Sequence, residues 1–375
     1  MRRRSLSLFN KTSQTIFRDV GSWEALTQSI GDLHLEKNEL IQLVAVGSNE
    51  NLPELLLSKY AAPGVKHLGT TGTLSLFEYH RHFGRHEEKR IAVQFVVARP
   101  MPEPIYVLLF VAQPRYWRHG ILPLIESLYP KAARPFLTQN ELHELMNHLQ
   151  SAIHPKRLRV LESSSKMRLV PTARKRFQSV REWTDAPLDT VFRDARERNV
   201  WFRSVLFDIA TSQDEQLIST GIQAKLSKYG YFSCNGGFEL FEKALIRKLV
   251  QIGAERLKFF SNRDRYSTPD RILKPLQISY ETEIFKSKEQ AKRLVEAMQR
   301  FKHGTCTILH ANPYIHLSVV DNVDFSAADV WVLSQNQILL VPQLKASEMA
   351  LKRIVNHIFE HFREGRISEF QEQQA

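Results

Sequence analysis

Hydrophobic residues in the first third of the chain fall into short, β-branched runs. Residues 41–46, 73–79, 90–98 and 105–112 are rich in Val, Ile, Leu and Phe, and Gly or Pro clusters separate them. That is the pattern of strands bounded by turns. Pro100, Pro102 and Pro104 join the last two runs, which predicts neighbouring central strands linked by a loop. The period then changes. Thr138 and Glu141 have capping-box spacing, so a helix is expected over 139–151. Further on, 183–187 reads as a loop, 188–198 as a short helix, 200–209 as a strand and 222–232 as strand-like. The pattern continues with a helix at 238–252, a strand at 276–285, a helix at 288–302, strands at 306–309 and 315–320, and a hairpin through 329–341. A last helix carries Leu351, Ile354, Val355, Ile358, Phe359 and Phe362 on one side, with Lys352, Arg353, Asn356, Glu360 and Arg363 on the other.

Runs of strands interleaved with helices predict an α+β fold of two domains, each a mixed or antiparallel sheet with packed helices. A length of 375 residues exceeds the size at which one core stops growing, roughly 250 to 300 residues. The expected division is an N-terminal α+β domain over 1–153, a basic connector or edge segment over 154–186 and a C-terminal α+β domain over 187–375.

No apolar run is long enough to span a bilayer, which takes roughly 20 residues. Arg2, Arg3 and Arg4 are followed by Lys11, Thr12, Ser13 and Gln14 before any signal-like apolar region develops. A cytoplasmic protein without membrane contact is expected. The two cysteines, Cys234 and Cys306, are too few for a disulfide framework and read as ordinary buried thiols.

Charge changes the picture most. Net charge is +12, and between His154 and Arg181 the basic residues Lys156, Arg157, Arg159, Lys166, Arg168, Arg174, Lys175, Arg176 and Arg181 face one acid, Glu162. With Arg2, Arg3 and Arg4 this segment holds nearly all of the excess. Basic residues on exposed strand edges also guard against aggregation. A cluster this dense, however, predicts contact with phosphates, with steep salt dependence. Phe177 beside Arg176 is the aromatic placed to stack on a base; Tyr116 and Trp117 beside Arg115 and Arg118, Trp183 beside Arg181, and Trp201 and Phe202 beside Arg203 have the same chemistry.

Four constellations are candidates for catalysis or metal binding. Asp208 ends an apolar strand, and Gln223 and Lys225 form Gln-x-Lys on the next strand-like segment. This resembles the Asp…Gln-x-Lys variant of restriction-endonuclease-like folds, which implies Mg²⁺ held by Asp208 and Gln223 and a water-activating Lys225. Solvation on an edge strand is the competing role for these side chains. His80, His82 and His86 are interleaved with Arg and Lys, which repel a dication, and read as a basic loop. His316-Leu317-Ser318 looks like one half of a two-histidine phosphoesterase, with the second half missing. Asp321, Asp324 and Asp329 crowd a hairpin connection and read as turn residues. Phosphate-binding loops, dinucleotide fingerprints, nucleophile elbows and His-Glu-x-x-His motifs are all missing from the sequence.

The expectation is therefore a nucleic-acid-binding protein that holds DNA or RNA by its phosphates, as a non-catalytic subunit without cofactor. Two alternatives stand beside it: a Mg²⁺-dependent nuclease using Asp208, Gln223 and Lys225, and an interaction protein whose basic segment meets an acidic protein partner.

Overall fold

The computed structural model describes residues 20–370, except 32, 37, 49, 83–89, 103, 130, 169–176, 199, 214–215, 262–274, 312–313 and 344–345. Helices are mixed with two antiparallel sheets, and the chain divides into two compact units, 1–254 and 255–375.

The first unit is built on an eleven-stranded sheet. Its strands are β1 (Leu40–Ser48), β2 (Val65–Thr71), β3 (Leu74–His82), β4 (Arg90–Ala98), β5 (Ile105–Ala112), β6 (Ala132–Ala133), β7 (Arg157–Arg168), β8 (Phe177–Pro187), β9 (Val200–Gln213), β10 (Gln216–Ser227) and β11 (Tyr231–Cys234). The order across the sheet is β2-β3-β4-β5-β1-β11-β10-β9-β7-β8, with β6 paired to β1. As the proline-rich linker implied, β4 and β5 are neighbours. The segment 154–186 supplies β7 and β8, the last two strands of this sheet, and the division between units lies at Ala254/Glu255. Residues 183–187, expected as a loop, belong to β8. An edge strand with polar residues on both faces lacks the apolar alternation that marks a strand in sequence.

Alternation sets the two faces of the sheet. On one, Phe207 and Phe232 pack against Phe241 at ring distances of 6.1 and 5.2 Å, under the helical stretch that opens with Phe238–Phe241 and a π turn, Glu242–Ile246. The helix Gln139–Ala152 has the expected capping box: Thr138 N donates to Glu141 Oε2 at 2.7 Å, and Glu141 N donates to Thr138 Oγ1 at 3.3 Å. On the other face, Val44, Phe77, Phe95, Leu108 and Phe110 pack on Ile121, Leu124 and Ile125 of the helix Leu122–Ser127 and the π turn before it, Trp117–Ile121. Beyond β1 that same face becomes polar.

The second unit carries β12 (Leu276–Ser279), β13 (Gly304–His310), β14 (Ile315–Asp321), β15 (Ala327–Ser334), β16 (Gln337–Pro342) and β17 (Arg366–Glu369), in the order β13-β14-β15-β16-β12-β17. The strand expected at 276–285 stops at Ser279, and Ile284–Lys286 is a short 3-10 turn. The helix Glu348–His361 does not have the solvated face its sequence implied, because Lys352 and Arg353 are only 4% and 7% exposed.

Candidate nucleic-acid interface

The polar half of the large sheet is assembled from five strands by register. Ser233 on β11 pairs with Lys225 on β10, Lys225 with Leu206 on β9, Leu206 with Glu162 on β7, and Glu162 with Trp183 on β8. A parallel row runs through Tyr231, Ser227, Ser204, Ser164 and Arg181. Asp208 and Gln223 are direct cross-strand partners one step further along. Two irregularities produce this arrangement. Gly221, at a φ of +84°, sits where β10 shifts register between Ser219 and Gln223. In β7 the register shifts between Val160 and Glu162, so Arg159 and Glu162 share a face although strict alternation would separate them.

Ion pairs divide the face into two neighbourhoods. Around Arg159 the charge is offset: its Nε donates to Asp208 Oδ1 at 3.0 Å, its Nη2 to Asp208 Oδ2 at 2.7 Å, and its Nη1 lies 3.1 Å from Asp185 Oδ1. Asp208 is fully buried beneath this guanidinium. Around Lys225 the balance is positive. Glu162, 4% exposed, takes both arms of Arg181, whose side chain is exposed. Lys225, half-buried, feels Glu162, Arg181 and Arg118 together, and burial followed by the two guanidinium groups holds its ammonium below the usual lysine range despite the pull of Glu162. Arg118 is exposed, and among the described residues neither Arg118 nor Lys225 has a carboxylate bonded to it. Lys225 thus feels two guanidinium groups against one carboxylate.

Aromatic rings flank the cations. Trp117, in the π turn beside Arg118, stacks on Tyr231 with centroids 4.4 Å apart. Tyr231 donates to Gln42 Oε1 at 2.9 Å, and burial pushes its phenol up to about 12. At the far edge Arg181 lies 5.3 Å from the centre of the Trp183 ring, which is 72% exposed.

Of the basic residues singled out by charge, Arg159 and Arg181 belong to this face, Arg157 is an exposed position of the same strand and Lys156 is exposed just before it. Lys166, Arg168 and Phe177 lie within β7 and β8, with their side chains outside the described set, and Arg174, Lys175 and Arg176 lie outside the described residues. Asp208, Gln223 and Lys225 do share a face, but both oxygens of Asp208 are engaged by Arg159, while the Gln223 backbone is tied to Asn235. Among the described residues no group of three or more His, Cys, Asp or Glu side chains is arranged to hold a metal ion. Sequence reasoning missed the partnership of Trp117 with Tyr231 and the part played by Glu162. Polar residues at alternate positions of β10 and β11, Gln223, Lys225, Ser227, Tyr231 and Ser233, are the signal that would have found this face.

His80 pairs with Glu78 at 2.6 Å, His82 is exposed and His86 lies outside the described residues. His316 stacks on Trp331 at 3.6 Å and lies 3.1 Å from Asp329, which also accepts from Gln343. Two of the three aspartates serve as turn residues, Asp321 accepting from Val323 N and Asp324 from Ser326 N, whereas Asp329 lies within strand β15. Asp321 and Asp324 also hold the buried Arg353. Cys234 is buried, but Cys306 is half-exposed on β13; burial pushes the thiols up to about 12 and about 11, so neither is an ionised nucleophile at neutral pH. Among the described residues no helix is long and apolar enough to cross a membrane. No protein-family model matches the chain, and comparison with curated proteins gives no match.

Proposed function

We propose that the chain binds nucleic acid by its phosphates on the polar face of the large sheet. The observation that carries this reading is the pair Arg118 and Lys225, two cations with no bonded carboxylate among the described residues, with Arg118 and Arg181 both acting on Lys225 and Glu162 the acid that opposes them there. A half-buried ammonium kept next to two guanidinium groups is costly without an anion, and a phosphate oxygen is the ligand that removes the repulsion. Base faces can meet the neighbouring aromatics, while the contacts to phosphate carry no sequence preference. The chain acts here as a binding protein in the cytoplasm, holding a strand for a partner that does the chemistry.

The experiment is retention of labelled DNA and RNA across a salt series by wild type and by the double variant Arg118→Ala/Lys225→Ala. The variant should bind every sequence more weakly, with a salt slope shallower by about one unit for each phosphate that is no longer neutralised. A folded double variant with unchanged affinity and slope would refute the reading and direct attention to an acidic protein as the partner.

A further inference from the structure

Resting on the phosphate-binding reading above, we infer that the ligand of this face is single-stranded, and that Trp183 is a platform on which one of its bases stacks. The chain has five tryptophans. Trp23 is core, at 2% exposure, Trp117 and Trp331 are stacked on Tyr231 and His316, and Trp201 is half-buried. Trp183 alone stands out in solvent, at 72%. A lone exposed ring does not by itself mark a contact site, so its neighbours decide whether it is one and of what kind.

Its surroundings say which kind. The ring shares a strand face with Arg181, whose guanidinium lies 5.3 Å from the ring centre and is itself fixed by both oxygens of the buried Glu162. Cation and ring are thus held together as one unit, with the guanidinium orienting the ring and the ring offering a π surface for a base. Register places that unit in line with Lys225. Lys225, Leu206, Glu162 and Trp183 are successive partners across β10, β9, β7 and β8, so three strand spacings, roughly 15 Å, separate Lys225 from Trp183. A chain of a few nucleotides covers that span with phosphates at Arg118 and Lys225 and a base on the indole. Inside a duplex each base is covered by its stacking neighbours; an unpaired strand has bases free to splay onto an aromatic ring. Stacking of this kind tolerates any base, since every base has a π face.

Three fluorescein-labelled probes of equal length test this with the full chain: single-stranded oligo(dT), an abasic strand with the same phosphates and no bases, and a duplex. Wild type should hold oligo(dT) about tenfold or more tighter than the abasic strand, the scale of one stacked base. Trp183→Ala should erase that advantage and leave abasic binding unchanged, and Trp183→Phe should restore part of it. Equal binding of oligo(dT) and the abasic strand by wild type, or a Trp183→Ala variant with the full advantage, overturns the stacking proposal and leaves phosphate binding standing. Binding of the duplex as tight as that of oligo(dT) overturns the single-strand preference. Retention of none of the probes removes both readings and favours an acidic protein as the ligand.

Discussion

Arg159 covers Asp208 with two parallel bonds, Nε to Oδ1 at 3.0 Å and Nη2 to Oδ2 at 2.7 Å, so the one fully buried carboxylate of the polar face already has its cation. Removing the guanidinium leaves that carboxylate buried without a counter-charge. Arg159→Ala should therefore lower stability by about 3–5 kcal/mol in urea unfolding, the cost of breaking a buried pair from one side. The double variant Arg159→Met/Asp208→Leu should recover most of the stability, because two apolar groups need no partner. A single variant as stable as wild type would show that Asp208 is not charged in the folded chain.

The same pairing bears on metal chemistry. Mg²⁺ bound between Asp208 and Gln223 would have to displace Arg159 from both carboxylate oxygens, and a dication beside that guanidinium is repelled. Nucleic acid held by the protein should therefore stay intact over hours in Mg²⁺, with retention the same in Mg²⁺ and in EDTA once ionic strength is matched. Mg²⁺-dependent cleavage that Lys225→Ala abolishes would instead establish the nuclease alternative.

The strands and helices with strong periodicity are legible from sequence, including four of the five strands of the first third, the capped helix after Thr138 and the hairpin through β15 and β16; β2, polar and largely exposed, is the strand of the first third that the sequence did not reveal. What stays hidden depends on register and on long-range partners. A bulge in β7 turns Arg159 and Glu162 to one face, and nothing in the local sequence announces it. The end of β8 is hidden because Asp185, at a φ of +45°, and Pro187 are turn-like residues in a polar edge strand. Lys352 and Arg353 read as a solvated helix face because periodicity sees only their own helix, whereas Arg353 is buried against Asp321 and Asp324 from the β14–β15 connection. Within the candidate face, charge counting locates Arg159 and Arg181. It does not reach Arg118 and Lys225, which arrive from a separate helix and strand.

Lys352 predicts a stability that rises with pH. Burial, then the charge of Arg256, pushes its ammonium down to about 8, against the pull of Glu348. Above about pH 8 the folded chain gives up this proton while the unfolded chain keeps it up to about 10.4, so unfolding takes up a proton and stability climbs across that window. Lys352→Met should stabilise the chain at pH 7 by on the order of 1–3 kcal/mol and flatten the climb between pH 8 and 10. Chemical denaturation at each pH decides it, and a wild type whose stability is flat over that range would contradict the assignment.

Lys225 makes the corresponding prediction for binding rather than folding. Its ammonium sits below the usual lysine range because it is half-buried and faces Arg181 and Arg118, and Glu162 compensates only in part. A phosphate at this position favours the protonated form, so binding takes up a proton wherever the free protein has given it up. Affinity for a labelled strand should thus begin to fall at a lower pH than the roughly 10.4 of an ordinary lysine. Lys225→Arg keeps a full charge throughout, and its affinity should run flat where wild type declines. Anisotropy titrations from pH 7 to 10 at constant ionic strength separate the two curves. If wild type and Lys225→Arg fall together, the decline belongs to other groups and Lys225 does not contact the phosphates.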